Sequence, residues 1–186
     1  MSKTLQDQID EIQKKYYQEN TKNALFKKAQ KNDLAQQVSS NIDINTLLNN
    51  TCYIIESTNN VIIDYTVFKL YIHSDLYDTL INHICSIFEL VLTQNEQYNI
   101  HINLNGFTIS AAERYKEFIS KFTSQVMTRT DEKFSKQLIK LSIYYPPSVI
   151  ETIKKMFMSF VHRDIKDKVN IIEKSKSEEL YKQLFN

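Results

Sequence analysis

Asn99-Ile100-His101-Ile102-Asn103-Leu104-Asn105 alternates strictly, with an aliphatic residue at every second position. Side chains of a strand point to opposite faces in turn, so a period of two predicts a strand with one buried face. Asn105-Gly106 ends it, a place where φ > 0 is common and only glycine takes it without strain. Downstream, Ser110-Ala111-Ala112-Glu113 reads as a capping box, in which serine hydroxyl and glutamate each satisfy a free backbone donor. The helix it opens carries Tyr115, Phe118, Ile119, Phe122 and Val126. Leu138–Tyr145 is a second strand, stopped by Pro146-Pro147, which cannot extend it. Ser148-Val149-Ile150-Glu151 is another capping box, opening a helix with Ile153, Phe157 and Phe160 inward. A short strand, Val169–Ile172, and a last helix with Leu180, Tyr181, Leu184 and Phe185 complete this half.

Upstream, Thr51-Cys52-Tyr53-Ile54-Ile55-Glu56 is a strand by its β-branched and aromatic content. Ser57-Thr58-Asn59-Asn60 is a turn, and Val61 to Ile72 is expected to hold one or two further strands. Ser74 is the expected cap of a helix with Leu76, Leu80, Ile84, Phe88 and Val91 on one face. Residues 3–37 read as helix, with Leu5, Ile9, Ile12 and Tyr16 on one stripe and a break near Glu19–Asn23. The order β-β-α-β-α-β-α-β-α gives an α/β class: a mixed, mostly parallel sheet with helices packed on it, preceded by an N-terminal helical extension. Each crossover should be right-handed. The expected boundaries are 1–45 for the extension and 46–186 for the α/β domain.

Composition removes several functions. The chain has 186 residues, enough for one domain. It contains a single glycine, Gly106, so a P-loop, a dinucleotide fingerprint and a nucleophile elbow are all excluded. Cys52 and Cys85 lie in apolar surroundings without a C-x-x-C, which supports neither a disulfide scaffold nor a thiolate zinc site. His73, His83, His101 and His162 fall on different elements, and His83-Ile84-Cys85 lacks a second half, so no metal is expected. Asp64, Asp75 and Asp78 lie near strand ends, where helix capping accounts for them as well as chemistry does. No catalytic residue and no cofactor are assigned; the chain does not read as an enzyme.

Charge is uneven: +2 over residues 1–37, −6 over 38–132 and +5 over 133–186, for a net +1. That total does not point to nucleic acid. The basic C-terminal third, and the Lys22, Lys27, Lys28 and Lys31 cluster around Leu25-Phe26, fit either a membrane surface or solvated helix faces. No apolar run reaches the ~18 residues of a membrane span. The start, Met1-Ser2-Lys3-Thr4-Leu5-Gln6, does not read as a signal peptide, so a cytoplasmic location is expected.

Four features in register resemble the CRAL-TRIO family of lipid-binding domains, over about residues 50–186. They are the hairpin Tyr53–Ile72; Ile100 to Phe107, similar to the family's strand ending in Asp-Leu-x-Gly; Leu141-Ser142-Ile143-Tyr144-Tyr145-Pro146-Pro147, similar to its strand ending in Asn-x-Pro; and Phe157 to Ile172, similar to its helix followed by a Lys-Ile-rich strand. Asn103 stands where the family usually has Asp, and Tyr145 where it usually has Asn. Lys168 matches a lysine that members recognising phosphatidylinositol pair with an acid, but Lys136 occupies the approximate acidic position. The short chain looks like the branch that includes the BCH domains. The resemblance implies a non-enzymatic lipid-binding or lipid-transferring domain that holds a hydrophobic or phospholipid ligand between the sheet and the C-terminal helices. Beside the resemblance, helices carrying Phe118, Phe122, Phe157 and Phe160 could open a slot for an acyl chain, with Tyr144 also lining it and Arg163, Lys166 and Lys168 for an anionic head group. The alternatives are that the aromatics fill a core and the lysines are solvated. A protein-interaction or regulatory module of CRAL-TRIO/BCH-like or STAS-like fold, with a protein partner, is the competing function.

Overall fold

Five strands form one sheet in chain order: β1 (Cys52–Ile54), β2 (Asn60–Asp64), β3 (Tyr98–Asn103), β4 (Leu138–Tyr144) and β5 (Val169–Ile171). The computed structural model describes residues 3–20, 27–128, 133–157 and 163–186. β1 pairs antiparallel with β2, and every later pairing is parallel. The expected mixed, mostly parallel sheet is therefore present. Ile63, Ile102, Ile143 and Ile171 are directly paired in one row across four strands. The row before it pairs Ile62, His101, Ser142 and Asn170, which point to the other face because strand side chains alternate.

Each parallel strand lies one place further in the same direction, so right-handed crossovers put all the crossing helices on one face. Between β2 and β3 run α4 (Tyr65–Tyr71) and α5 (Tyr77–Gln94), preceded in the chain by α1 (Leu5–Glu19), α2 (Lys27–Asn41) and α3 (Ile44–Thr51). Between β3 and β4 run α6 (Ile109–Arg114), α7 (Lys116–Thr128) and α8 (Lys133–Gln137). Between β4 and β5 lie α9 (Ile150–Phe157) and α10 (Arg163–Lys166), and α11 (Lys174–Lys182) follows β5. The stripe expected on α5 is buried at Leu80, Ile84, Phe88 and Val91. α1 and α2 are built into the same apolar cluster as the strands, through Ile9, Tyr16, Leu34 and Val38. The membrane-facing reading of Lys22, Leu25 and Phe26 lies outside the described residues, as do the side chains of Lys27 and Lys28.

Several local expectations are corrected. Val61 to Ile72 is not two strands: β2 stops at Asp64 and α4 begins at Tyr65. Asp64 Oδ1 accepts hydrogen bonds from the Thr66 backbone N–H and hydroxyl, which makes it an N-cap, and Tyr65, Phe68 and Tyr71 then bury at helical spacing. β-branched propensity loses to that cap and burial. The cap before α6 is Thr108, whose hydroxyl accepts from the Ala111 N–H at 3.2 Å; Ser110 only meets the Thr108 hydroxyl. Ser74 starts a single 3₁₀ turn ahead of α5 and does not cap it. β3 is buried on both faces, since His101 and Asn103 are 8% and 7% exposed. Gly106 has φ +77°, as its place after the strand predicts.

Candidate functional site

The isoleucine row does not meet the crossing helices everywhere. Between them is a cavity of about 320 Å³ with a wholly apolar wall. Its floor is that row together with Leu104, Leu141 and Val169. One side wall is a chain of ring contacts: Phe107 against Tyr65 at 4.8 Å, Phe68 against Tyr115 at 4.8 Å and against Phe118 at 5.1 Å, and Phe118 stacked on Phe122 at 6.1 Å. Ile150 and Ile153 of α9, Ile165 of α10 and the stem of Lys154 roof it. Burial pushes the Tyr65 phenol up to about 12, so this ring stays uncharged at any physiological pH. A volume at the lower end of the usual 300–1,000 Å³ range suits one apolar chain.

Residues 32–185 match the CRAL/TRIO domain. The chain belongs to the CRAL/TRIO domain family. No curated protein matches it. A CRAL/TRIO fold is consistent with lipid binding in general. Among the described residues no group of three or more His, Cys, Asp or Glu could hold a metal, and no helix is long and apolar enough to cross a membrane.

In this CRAL/TRIO domain Phe118 and Phe122 line the cavity. Phe157 ends α9, but its side chain, like all of Phe160 and His162, lies outside the described residues. Tyr144 points to the opposite face, where its hydroxyl is 3.0 Å from His101 Nδ1 and its ring packs on Tyr181 at 5.1 Å. Arg163 and Lys166 flank Ile165 on α10 without lining the cavity. Lys168 Nζ donates to the Ser135 carbonyl at 2.7 Å and the Lys136 carbonyl at 3.3 Å. The lysine that would face an acid thus ties β5 to the backbone of α8, which is why Lys136 can stand at the acidic position. Asn103 keeps the turn after β3, since its Oδ1 accepts from the Asn105 N–H at 3.0 Å. Its amide also donates to Asp64 at 3.1 Å, which an aspartate could not do. Tyr145 takes φ +51°, a left-handed conformation that asparagine tolerates better; its N–H is held by Ser177 Oγ at 2.9 Å.

Tyr65, Phe68, Phe107 and Tyr115 were not among the residues the sequence selected, yet they form most of the aromatic wall. The signal for two of them was Asp64-Tyr65-Thr66, a cap followed by aromatics three apart.

Proposed function

We propose that this CRAL/TRIO domain is a non-enzymatic lipid-binding module of the short, BCH-like kind, holding a hydrophobic ligand between the sheet and the helices that roof it. The observation that carries the reading is the wholly apolar cavity under α9 and α10. Water gains little in such a space, because it finds no polar partners there, whereas an alkyl chain gains dispersion contacts on every side. Phe118 and Phe122 act as packing surface for the chain. Arg163 and Lys166, which flank the roof residue Ile165, are the cations proposed to meet an acidic lipid surface, whereas Lys168 is held by the Ser135 and Lys136 carbonyls. Native mass spectrometry after gentle purification tests the reading. A co-purifying hydrophobic molecule, or uptake of one from vesicles, is expected. Ligand-free protein that takes up none and instead carries a stable protein partner would establish the interaction-module alternative.

A further inference from the structure

A second space opens beside the cavity, over the C-terminal ends of β3 and β4. It is an open groove lined by the Asn105–Ser110 loop, by Tyr145-Pro146-Pro147, and by Arg114 and Lys174. A smaller recess continues from it to Lys69, sharing Gly106, Thr108 and Arg114. The groove and the apolar cavity meet: Phe107 lines both, and Val149 of the groove is followed in the chain by Ile150 of the roof. Charge is arranged around this junction. Lys69 lies one turn beyond the wall residue Tyr65, with Nζ 5.6 Å from that ring's centroid. Arg114 is next in the chain to the wall residue Tyr115, with its guanidinium carbon 5.7 Å from that ring. Arg114 Nε is buried without a hydrogen-bond partner. Lys174, from the first turn of α11, closes the third side. Glu113 is the one carboxylate among the described lining residues, against these three cations and Lys31.

Apolar space for a single chain therefore borders a cationic groove, with Phe107 in the wall of both. We propose that the ligand is a single-chain anionic amphiphile, its tail in the cavity and its phosphate or carboxylate head held by Lys69, Arg114 and Lys174. The inference rests on the lipid-binding reading above. It places the head at the β3–β4 end of the cavity, where charge-assisted hydrogen bonds to guanidinium and ammonium are available, and away from the α10 side. A bare Gly106 lets the head approach the backbone there, since no side chain projects into the recess beside Lys69.

The test is displacement of a neutral apolar fluorophore, N-phenyl-1-naphthylamine, by hexadecanol and by hexadecyl phosphate below its micellar concentration. Both should displace it, hexadecyl phosphate at about 10-fold lower concentration, the scale of one hydrogen bond to a charged group. In Arg114→Gln and Lys174→Gln that ratio should fall severalfold, while Lys182→Gln, an exposed lysine outside both spaces, should preserve it. Raising the ionic strength should compress the ratio too. Equal potency of hexadecanol and hexadecyl phosphate against the bound fluorophore would overturn the head site but leave the cavity reading intact. A ratio that falls as far in Lys182→Gln would do the same. Inorganic phosphate binding as tightly as hexadecyl phosphate would make the groove a site for a free anion and overturn the amphiphile. No binding of the fluorophore or of either displacer would overturn the lipid-binding reading and this inference together.

Discussion

On one face of the sheet Ile63, Ile102, Ile143 and Ile171 lie across four strands; one residue earlier, Ile62, His101, Ser142 and Asn170 form the matching row of the other face. The first face carries a cavity and the second does not tolerate one. Space beside aliphatic side chains forfeits dispersion contacts, each about 0.1–0.2 kcal/mol per atom pair, but strands no hydrogen-bonding group. Withdrawing a partner from a buried polar group costs about 1–3 kcal/mol. The polar face is accordingly fully connected at its centre. His101 meets the Tyr144 hydroxyl at 3.0 Å and Asn60 Oδ1 at 3.2 Å, and Asn103 bridges Asp64 and the Asn105 N–H. Tyr181 of α11 covers them, its phenol pushed well up by burial and by Asp64. Empty space sits on the face where it leaves no unmet hydrogen bond.

The largest expected effect is on the apolar side. Phe118→Ala removes a ring packed on Phe68, Tyr77 and Phe122 and should destabilise the protein by about 3 kcal/mol in urea unfolding. Part of that ring already faces the cavity, which keeps the effect at the low end for such a truncation. A loss under 1 kcal/mol would mean the wall is not load-carrying packing at all.

The polar face should answer to pH. Burial, and then the Lys140 charge, lower the His101 pKa from the usual 6.5 to about 4. The folded state therefore resists a proton that the unfolded chain takes up. Stability should be insensitive to this group above pH 6.5 and fall as pH drops through 6.5 toward 4. The loss between about pH 7 and pH 5 should be about 2 kcal/mol. In His101→Gln that part of the slope should vanish; an unchanged slope would locate the titration elsewhere.

Asn103→Asp, the residue the family usually carries, should destabilise by about 1–2 kcal/mol at neutral pH, because a second carboxylate then faces Asp64. Adding Asp64→Asn should restore most of it, since asparagine still caps α4. A harmless single change would show that the two faces differ less in their demand for exact partners than the network implies.

The smallest effect belongs where the two faces separate, at the turn after β3. Gly106→Ala should cost about 1 kcal/mol, since φ is +77° and a Cβ would stand 3.2 Å from Lys69 Nζ. The ammonium can move aside, so the backbone conformation sets the penalty. Thermal unfolding of the two proteins side by side would measure it.

Much of the fold was legible. The alternation of β3, the α5 stripe, the double proline after β4 and the turn glycine are local patterns, and local patterns survive folding. α4 was misread because a single aspartate cap outweighed a run of strand-forming residues. α2 has no clear stripe, yet Val38 is fully buried, because α4 comes to lie against it. The candidate site was legible in part: Phe118 and Phe122 stand on a periodic helix, whereas Tyr65 and Phe107 reach the wall only through elements whose packing the sequence does not announce.

The sequence by itself determined the α/β class, the order of the elements and the apolar side of the central strand, because hydrophobic period and caps act within a few residues. It also excluded a glycine-built phosphate-binding loop, since the chain has one glycine. Tertiary structure alone decided that His101 and Asn103 are buried. Polar residues at alternate positions read as solvent-facing until α11 returns from the far end of the chain to lie over them. It alone decided the cavity as well. A void is the difference between volumes contributed by four strands and five helices, and no one segment encodes a difference.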